Sequence, residues 1–130
     1  MPEHSTPAAV AHRFLQAFGD RDWEALGELF AKDIAWSMPG SGTISGNAHG
    51  PEEALRRARE IAAGGVRTEL LHVLVGARGV ALSLRNTAEA PDGRLLDEHL
   101  ATVLGIRHGL IATIDSYLSD VDGMSAFFVR

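Results

Sequence analysis

The spacing of apolar residues changes once along this chain, near residue 65, and that change restricts the folds open to it. Before it, apolar residues recur at helical intervals. Ala11, Phe14, Leu15 and Phe18 fall at i, i+3, i+4 and i+7, and Ala54, Leu55, Ala58, Ile61 and Ala62 form a second stripe. After it, the segments 66–75, 80–87, 95–104 and 110–118 read as strands. Gly76 to Gly79, Asp92-Gly93 and His108-Gly109 supply short turns between them. Strands joined by short turns must be antiparallel neighbours, so the second half is a meander.

Local signals refine the first half. Thr6-Pro7 reads as an N-cap followed by proline at the first helical position, and Gly19 as a left-handed C-cap. Asp20 or Asp22 caps a shorter helix with Trp23, Leu26 and Phe30 inside, and Ile34 to Met38 is a short strand stopped by Pro39-Gly40. Residues 41–50 read as an irregular loop, Pro51 opens the third helix, and Ser119-Asp120 caps a last helical turn reaching Phe127-Phe128. Residues 1–6 are expected to be a flexible tail and 7–130 a single domain, since 130 residues leave little room for a second. Three helices packed on a curved, mainly antiparallel sheet predict an α+β fold shaped as a cone-like α+β barrel. The open end of such a cone is where a ligand pocket belongs.

Composition removes several functional classes. A net charge of -5, with Arg56, Arg57 and Arg59 set among Glu52, Glu53 and Glu60, lacks the basic face that nucleic acid requires. There is no cysteine, hence no disulfide or thiolate metal site. No stretch approaches the ~20 apolar residues of a membrane span. The first residues lack the basic-then-apolar order of a secretory signal, so a cytoplasmic protein without membrane contact is expected.

Several phrases, in this order, resemble the superfamily of nuclear transport factor two, ketosteroid isomerase and SnoaL-like polyketide cyclases. They are Phe14 to Phe18, Gly19 to Leu26, Leu29 to Trp36, Gly109 to Ile111 and Ser116 to Asp120. The resemblance implies the cone fold, a SnoaL-like domain over 7–130 and a homodimer. Ketosteroid isomerases carry a carboxylate base after the first strand, a tyrosine on the first helix and an acid on a late strand. The matching positions here are Met38, Phe14 and Ala101, all apolar. That argues against steroid isomerisation, which needs a base and an oxyanion donor. Epoxide hydrolases of the superfamily place an aspartate where this chain has Ser116; Asp115 is one residue off and so on the opposite face.

With Ala101 taken as pocket-facing, His99 two residues before it and Asp97 two before that share its face, ~7 Å apart per step. A carboxylate beside an imidazole makes a general acid/base near neutral pH, so His99 and Asp97 are the expected catalytic pair. Phe14, Trp36 and Met38 are expected pocket walls, Ala101 a further lining residue, and His49, Asn86 and Ser116 polar lining groups. The bland alternatives are core packing for the apolar set and solvation for His49. His72 reads as structural. No metal site is expected, because no compact His or Cys spacing occurs. These readings together predict acid/base catalysis without a cofactor on a small apolar organic molecule, of isomerase, cyclase or dehydratase type. The alternatives are a non-catalytic ligand-binding or dimerisation module and an epoxide hydrolase-like enzyme using Asp115 or Asp97. Leu100, Leu104 and Tyr117 are expected on the outer sheet face as the dimer surface.

Overall fold

The computed structural model describes residues 6–129. Among them it has four helices and six strands: α1 (Pro7–Asp20), α2 (Trp23–Glu28), β1 (Phe30–Met38), β2 (Gly46–His49), α3 (Gly50–Ala63), β3 (Arg67–Val75), β4 (Gly79–Glu89), β5 (Leu95–Arg107), β6 (Leu110–Leu118) and α4 (Val121–Phe127). Of the expected tail at 1–6, residues 1–5 lie outside the described residues and Thr6 is the N-cap of α1.

The caps explain the helix starts. Thr6 Oγ1 accepts from the Ala9 N–H (3.1 Å) and Asp22 Oδ1 from the Ala25 N–H (3.1 Å). The end of α1 differs from expectation: the left-handed cap is Arg21 (φ 55°), and Gly19 stays helical. Arg21 is fixed there by its backbone N–H to Ala17 and Phe18 and by its side chain to the Ala62 carbonyl (3.1 Å). Phe30, expected inside α2, instead begins β1, where it faces Ile111. Residues 46–49 are not loop. They form a short edge strand pairing antiparallel with β1, from Ala35 opposite His49 to Met38 opposite Gly46.

The sheet order is β2-β1-β6-β5-β4-β3, with β1 and β6 parallel and the other neighbours antiparallel. The predicted meander is present, and His108 and Gly109 make its last turn with positive φ at both residues, as a two-residue hairpin of this hand requires. α1 packs on β3 and β4, α3 on β1 and β2, and α4 on β5, so the helices cover the concave face.

The inner face is laid out in rows across the strands. Val80, Leu104 and Ile114 form the closed end and are at most 1% exposed. The next row is Leu82, Thr102 and Ser116, then Leu84, Leu100 and Leu118. Thr68, Asn86 and Glu98 form the row beyond. Burial of the first rows provides the core, and the later ones look into open space.

Candidate functional site

A cavity of about 460 Å³ lies between the concave sheet and the helices. That volume suits a drug-sized organic molecule. Phe14 and Phe18 of α1, Trp36 and Met38 of β1, and Met124 and Phe128 near the C-terminus supply apolar wall. Asn86 and Ser116 also line it, as the sequence predicts.

Of the titratable residues that line it, His12, Asp20 and Arg21 are exposed, and Glu98 is buried in the wall. It stands on β5 between Leu96 and Leu100, is 3% exposed, and among the described residues its Oε1 has no hydrogen-bond partner. Burial, and secondarily the negative charge of Asp120, raise its pKa from the ordinary 4.5 to about 7. A carboxylate stripped of water with no cation beside it prefers to hold its proton. Asn86 faces it across the β4–β5 ladder. The Asn86 Oδ1 accepts from Thr68 Oγ1 (2.7 Å), which turns the amide so that its Nδ2 hydrogens remain for another acceptor.

A second polar group lies two rows deeper. The Trp36 Nε1–H donates to Ser116 Oγ (3.3 Å), and Thr102 is the direct cross-strand neighbour of Ser116. Arg57 of α3 holds this corner. Its Nη1 donates to the Trp36 carbonyl (2.7 Å), its Nη2 to the Ser45 carbonyl (3.3 Å), and its guanidinium sits 5.6 Å from the indole centroid. Burial lowers the Arg57 pKa, with Glu60 and Glu53 opposing.

His99, Asp97 and Ala101 do not belong to this wall. From Leu95 to Leu104 the exposed residues of β5 are Leu95, Asp97, His99 and Ala101, whereas Leu96, Glu98, Leu100, Thr102 and Leu104 point inward. The expected face is off by one residue. It follows the resemblance at Ala101, whereas β5 pairs with β4 in unbroken register and its alternation turns Leu96, Glu98, Leu100, Thr102 and Leu104 inward. Arg107 pairs with Leu110 and Ile106 with Ile111, as the two-residue turn dictates; continued unbroken, that register sets Ala101 opposite Ser116. Ala112 is an extra residue on β6, so from Gly105–Thr113 onward every pairing moves by one and Ser116 meets Thr102. Gly105 is the signal in the sequence. It interrupts a strand at a point where a side chain would run into Thr113.

On the outer face, Asp97 is bound by Arg85 through two hydrogen bonds (3.0 and 2.8 Å). That arginine lowers its pKa. His49 is an exposed N-cap of α3 whose backbone N–H donates to Glu53 Oε1 (2.8 Å), and it does not line the cavity. Asp115 pairs with Val103 on the outer side, as its offset from Ser116 predicts. Neither acid needed for an epoxide hydrolase-like reading therefore reaches the cavity. Leu100 (8%) and Leu104 (0%) are buried inward rather than on the outer face; Tyr117 is 63% exposed. Among the described residues, no group of three or more His, Asp or Glu is placed to hold a metal ion. None of the helices there is long and apolar enough to cross a membrane.

The SnoaL-like domain model matches residues 11–114. The fold is similar to that of Bal32a from a soil-derived mobile gene cassette, with 29% identity, TM-score 0.86, and 94% of this chain and 95% of that one covered. An NTF2-like protein from Burkholderia xenovorans aligns at 19% identity and TM-score 0.76, covering 95% of each chain. A Xanthomonas campestris protein of unknown function with a cystatin-like fold aligns at 21% identity and TM-score 0.84, covering 96% and 99%. No curated protein sequence matches the chain. The chain belongs to the SnoaL-like domain family.

Proposed function

We propose that this protein is an enzyme that moves a proton on a small, mainly apolar organic molecule held in the cavity, with Glu98 as the general base and acid. The observation that carries the reading is a buried, unpartnered carboxylate on the wall of an apolar cavity. A general base works best with a pKa near the operating pH, and burial brings Glu98 there.

The ionised Glu98 takes a proton from a carbon next to a carbonyl. The C–H bonding pair becomes the new C=C π bond, and the carbonyl π pair moves onto oxygen. Asn86 Nδ2 donates a hydrogen bond to that oxygen as charge develops, a task water would do less well inside an apolar cavity. Glu98 then returns the proton to the substrate. Return to the far carbon of a conjugated enolate is an isomerisation; attack of the enolate on a second carbonyl closes a ring, the proton going to the new alkoxide; expulsion of a hydroxyl from the next carbon, which takes the proton and leaves as water, is a dehydration. All three use one proton carrier and no cofactor. Trp36, Met38 and Phe14 keep the site dry.

The test is proton NMR in D₂O with 4-phenylcyclohexanone as probe, following loss of the signal of the hydrogens beside the carbonyl. The wild-type protein should accelerate that loss, and Glu98→Gln should reduce the acceleration by about 10²- to 10⁴-fold, the usual worth of a positioned base. Equal rates for the two proteins would sink the assignment.

We also infer a homodimer through the outer sheet face. With Leu100 and Leu104 turned inward, the residues offered to a second copy are Tyr117, its cross-strand neighbour Ala101, and Val103. Sedimentation equilibrium should show a species of twice the 13.9 kDa chain mass. A clean monomer at tens of micromolar would contradict it.

A further inference from the structure

The inner face of the sheet carries polar groups at two levels, and a band of leucines separates them. Glu98 and Asn86 occupy one row, with Thr68 beside them. Leu84, Leu100 and Leu118 fill the next, and Thr102 with Ser116 the one after. All of these except Leu82, which completes that deep row, line the same cavity. Glu98 and Thr102 are four residues apart on β5, about 13 Å by strand rise, and the concave curvature brings their side chains nearer.

The deep group is prepared to donate. Ser116 Oγ already accepts from the Trp36 indole N–H, and among the described residues its own hydrogen has no protein acceptor. Trp36 is in turn fixed by Arg57 through its carbonyl and its ring face. Ser116 is 8% exposed, so a ligand lacking an acceptor there would strip this hydroxyl of water without replacement.

From this we propose that the substrate is oxygenated at both ends: a carbonyl compound whose enolisable end lies at Glu98 and Asn86, with an apolar middle against the leucine band and a second hydroxyl or carbonyl oxygen received by Ser116. The proposal rests on the proton-transfer reading for the identity of the first end. The second end rests on the Trp36–Ser116 geometry alone. A one-ended apolar ketone leaves Ser116 unanswered, and a short polar molecule leaves the leucines against water.

Three probes of one skeleton separate the possibilities. 4-(4-Hydroxyphenyl)cyclohexanone carries both oxygens, 4-phenylcyclohexanone only the ketone, and 4-cyclohexylphenol only the hydroxyl. Calorimetric titration of the wild-type protein should show the two-ended probe binding about 3- to 10-fold more tightly than either one-ended probe, the worth of one added hydrogen bond. In Ser116→Ala the two-ended probe and 4-phenylcyclohexanone should bind equally, the two-ended probe weakened and 4-phenylcyclohexanone held no less tightly than by wild type. Thr102→Val, a near-isosteric change beside Ser116, should leave the advantage of the two-ended probe intact. Circular dichroism melting of both variants confirms that each is folded.

Equal loss for both ketones in Ser116→Ala, no loss for either, or no binding of any probe at millimolar concentration would overturn the proposal. Exchange chemistry is scored apart from binding. If the affinity pattern holds but none of the ketones exchanges hydrogen, the two-ended cavity stands and the proton-transfer reading falls. If exchange proceeds with no preference for the two-ended probe, the reverse is true.

Discussion

Asp97 and Glu98 are adjacent on β5, and the two sides of one strand give them opposite chemistry. Asp97 points out of the sheet, where Arg85 meets both of its oxygens and water reaches both charges; the pair keeps it ionised. Glu98 points inward among leucines, with no cation and an unpartnered Oε1, and its pKa rises to about 7. The same functional group is a permanently charged surface partner on one face and a neutral-range proton carrier on the other. Residue type alone says little about catalysis here. The face of the strand decides.

The largest thermodynamic consequence of that contrast belongs to the inner face. Below about pH 4.5 Glu98 is protonated in both folded and unfolded chains, so it imposes no ionisation cost. Between about 4.5 and 7 the unfolded chain releases the proton while the folded chain keeps it, and stability falls as pH rises. Above 7 the loss is complete. A shift from 4.5 to about 7 corresponds to at most roughly 3 kcal/mol. Glu98→Gln, which cannot ionise, should therefore be more stable than wild type near pH 8 by up to that amount, with the advantage vanishing toward pH 4. Urea unfolding at a series of pH values measures it. The wild-type exchange rate should move the other way, rising as pH passes through about 7, because the carboxylate is the base. A variant that gains stability and loses turnover over one and the same pH range would mark Glu98 as a group kept at a cost in stability for the sake of its chemistry. A flat stability difference across the range would show that burial does not perturb Glu98.

The legible parts of this chain are those decided within a few residues. Thr6-Pro7, Asp22 and His108-Gly109 carry their caps and turn in local chemistry, and each is found where the sequence sets it. Trp36 and Met38 alternate with Ser37 on a strand that has one buried face, so their direction into the cavity is readable too. The β2 edge strand is not, because Gly46-Asn47-Ala48-His49 has no strand propensity and exists only by pairing with β1. Glu98 was hidden for a longer-range reason. Its face is set by the unbroken ladder with β4, in which Thr102, Leu100 and Glu98 stand opposite Leu82, Leu84 and Asn86, and not by the resemblance at Ala101. One local clue points the right way. Leu96, Leu100 and Leu104 share a face that ought to be buried, and Glu98 sits in the middle of it.

The smallest expected effect tests the comparison most directly. If the outer face of β5 has no part in the chemistry, His99→Ala and Asp97→Asn should each leave the exchange rate of 4-phenylcyclohexanone and its pH dependence as in wild type. Asp97→Asn breaks only a solvent-exposed ion pair with Arg85, of a kind that contributes little to stability. His99 engages its neighbours through its backbone, donating its N–H to Ser119 Oγ (2.8 Å) and accepting from the Ser119 N–H (2.8 Å), so removal of the imidazole leaves both bonds in place. The melting temperature should therefore stay within error of wild type for both variants. A large drop in rate with unchanged melting, for either one, would return the catalytic role to the outer face and reverse the order of the two carboxylates. Unchanged rates beside an inactive Glu98→Gln would locate the proton carrier on the inner face, one residue from His99.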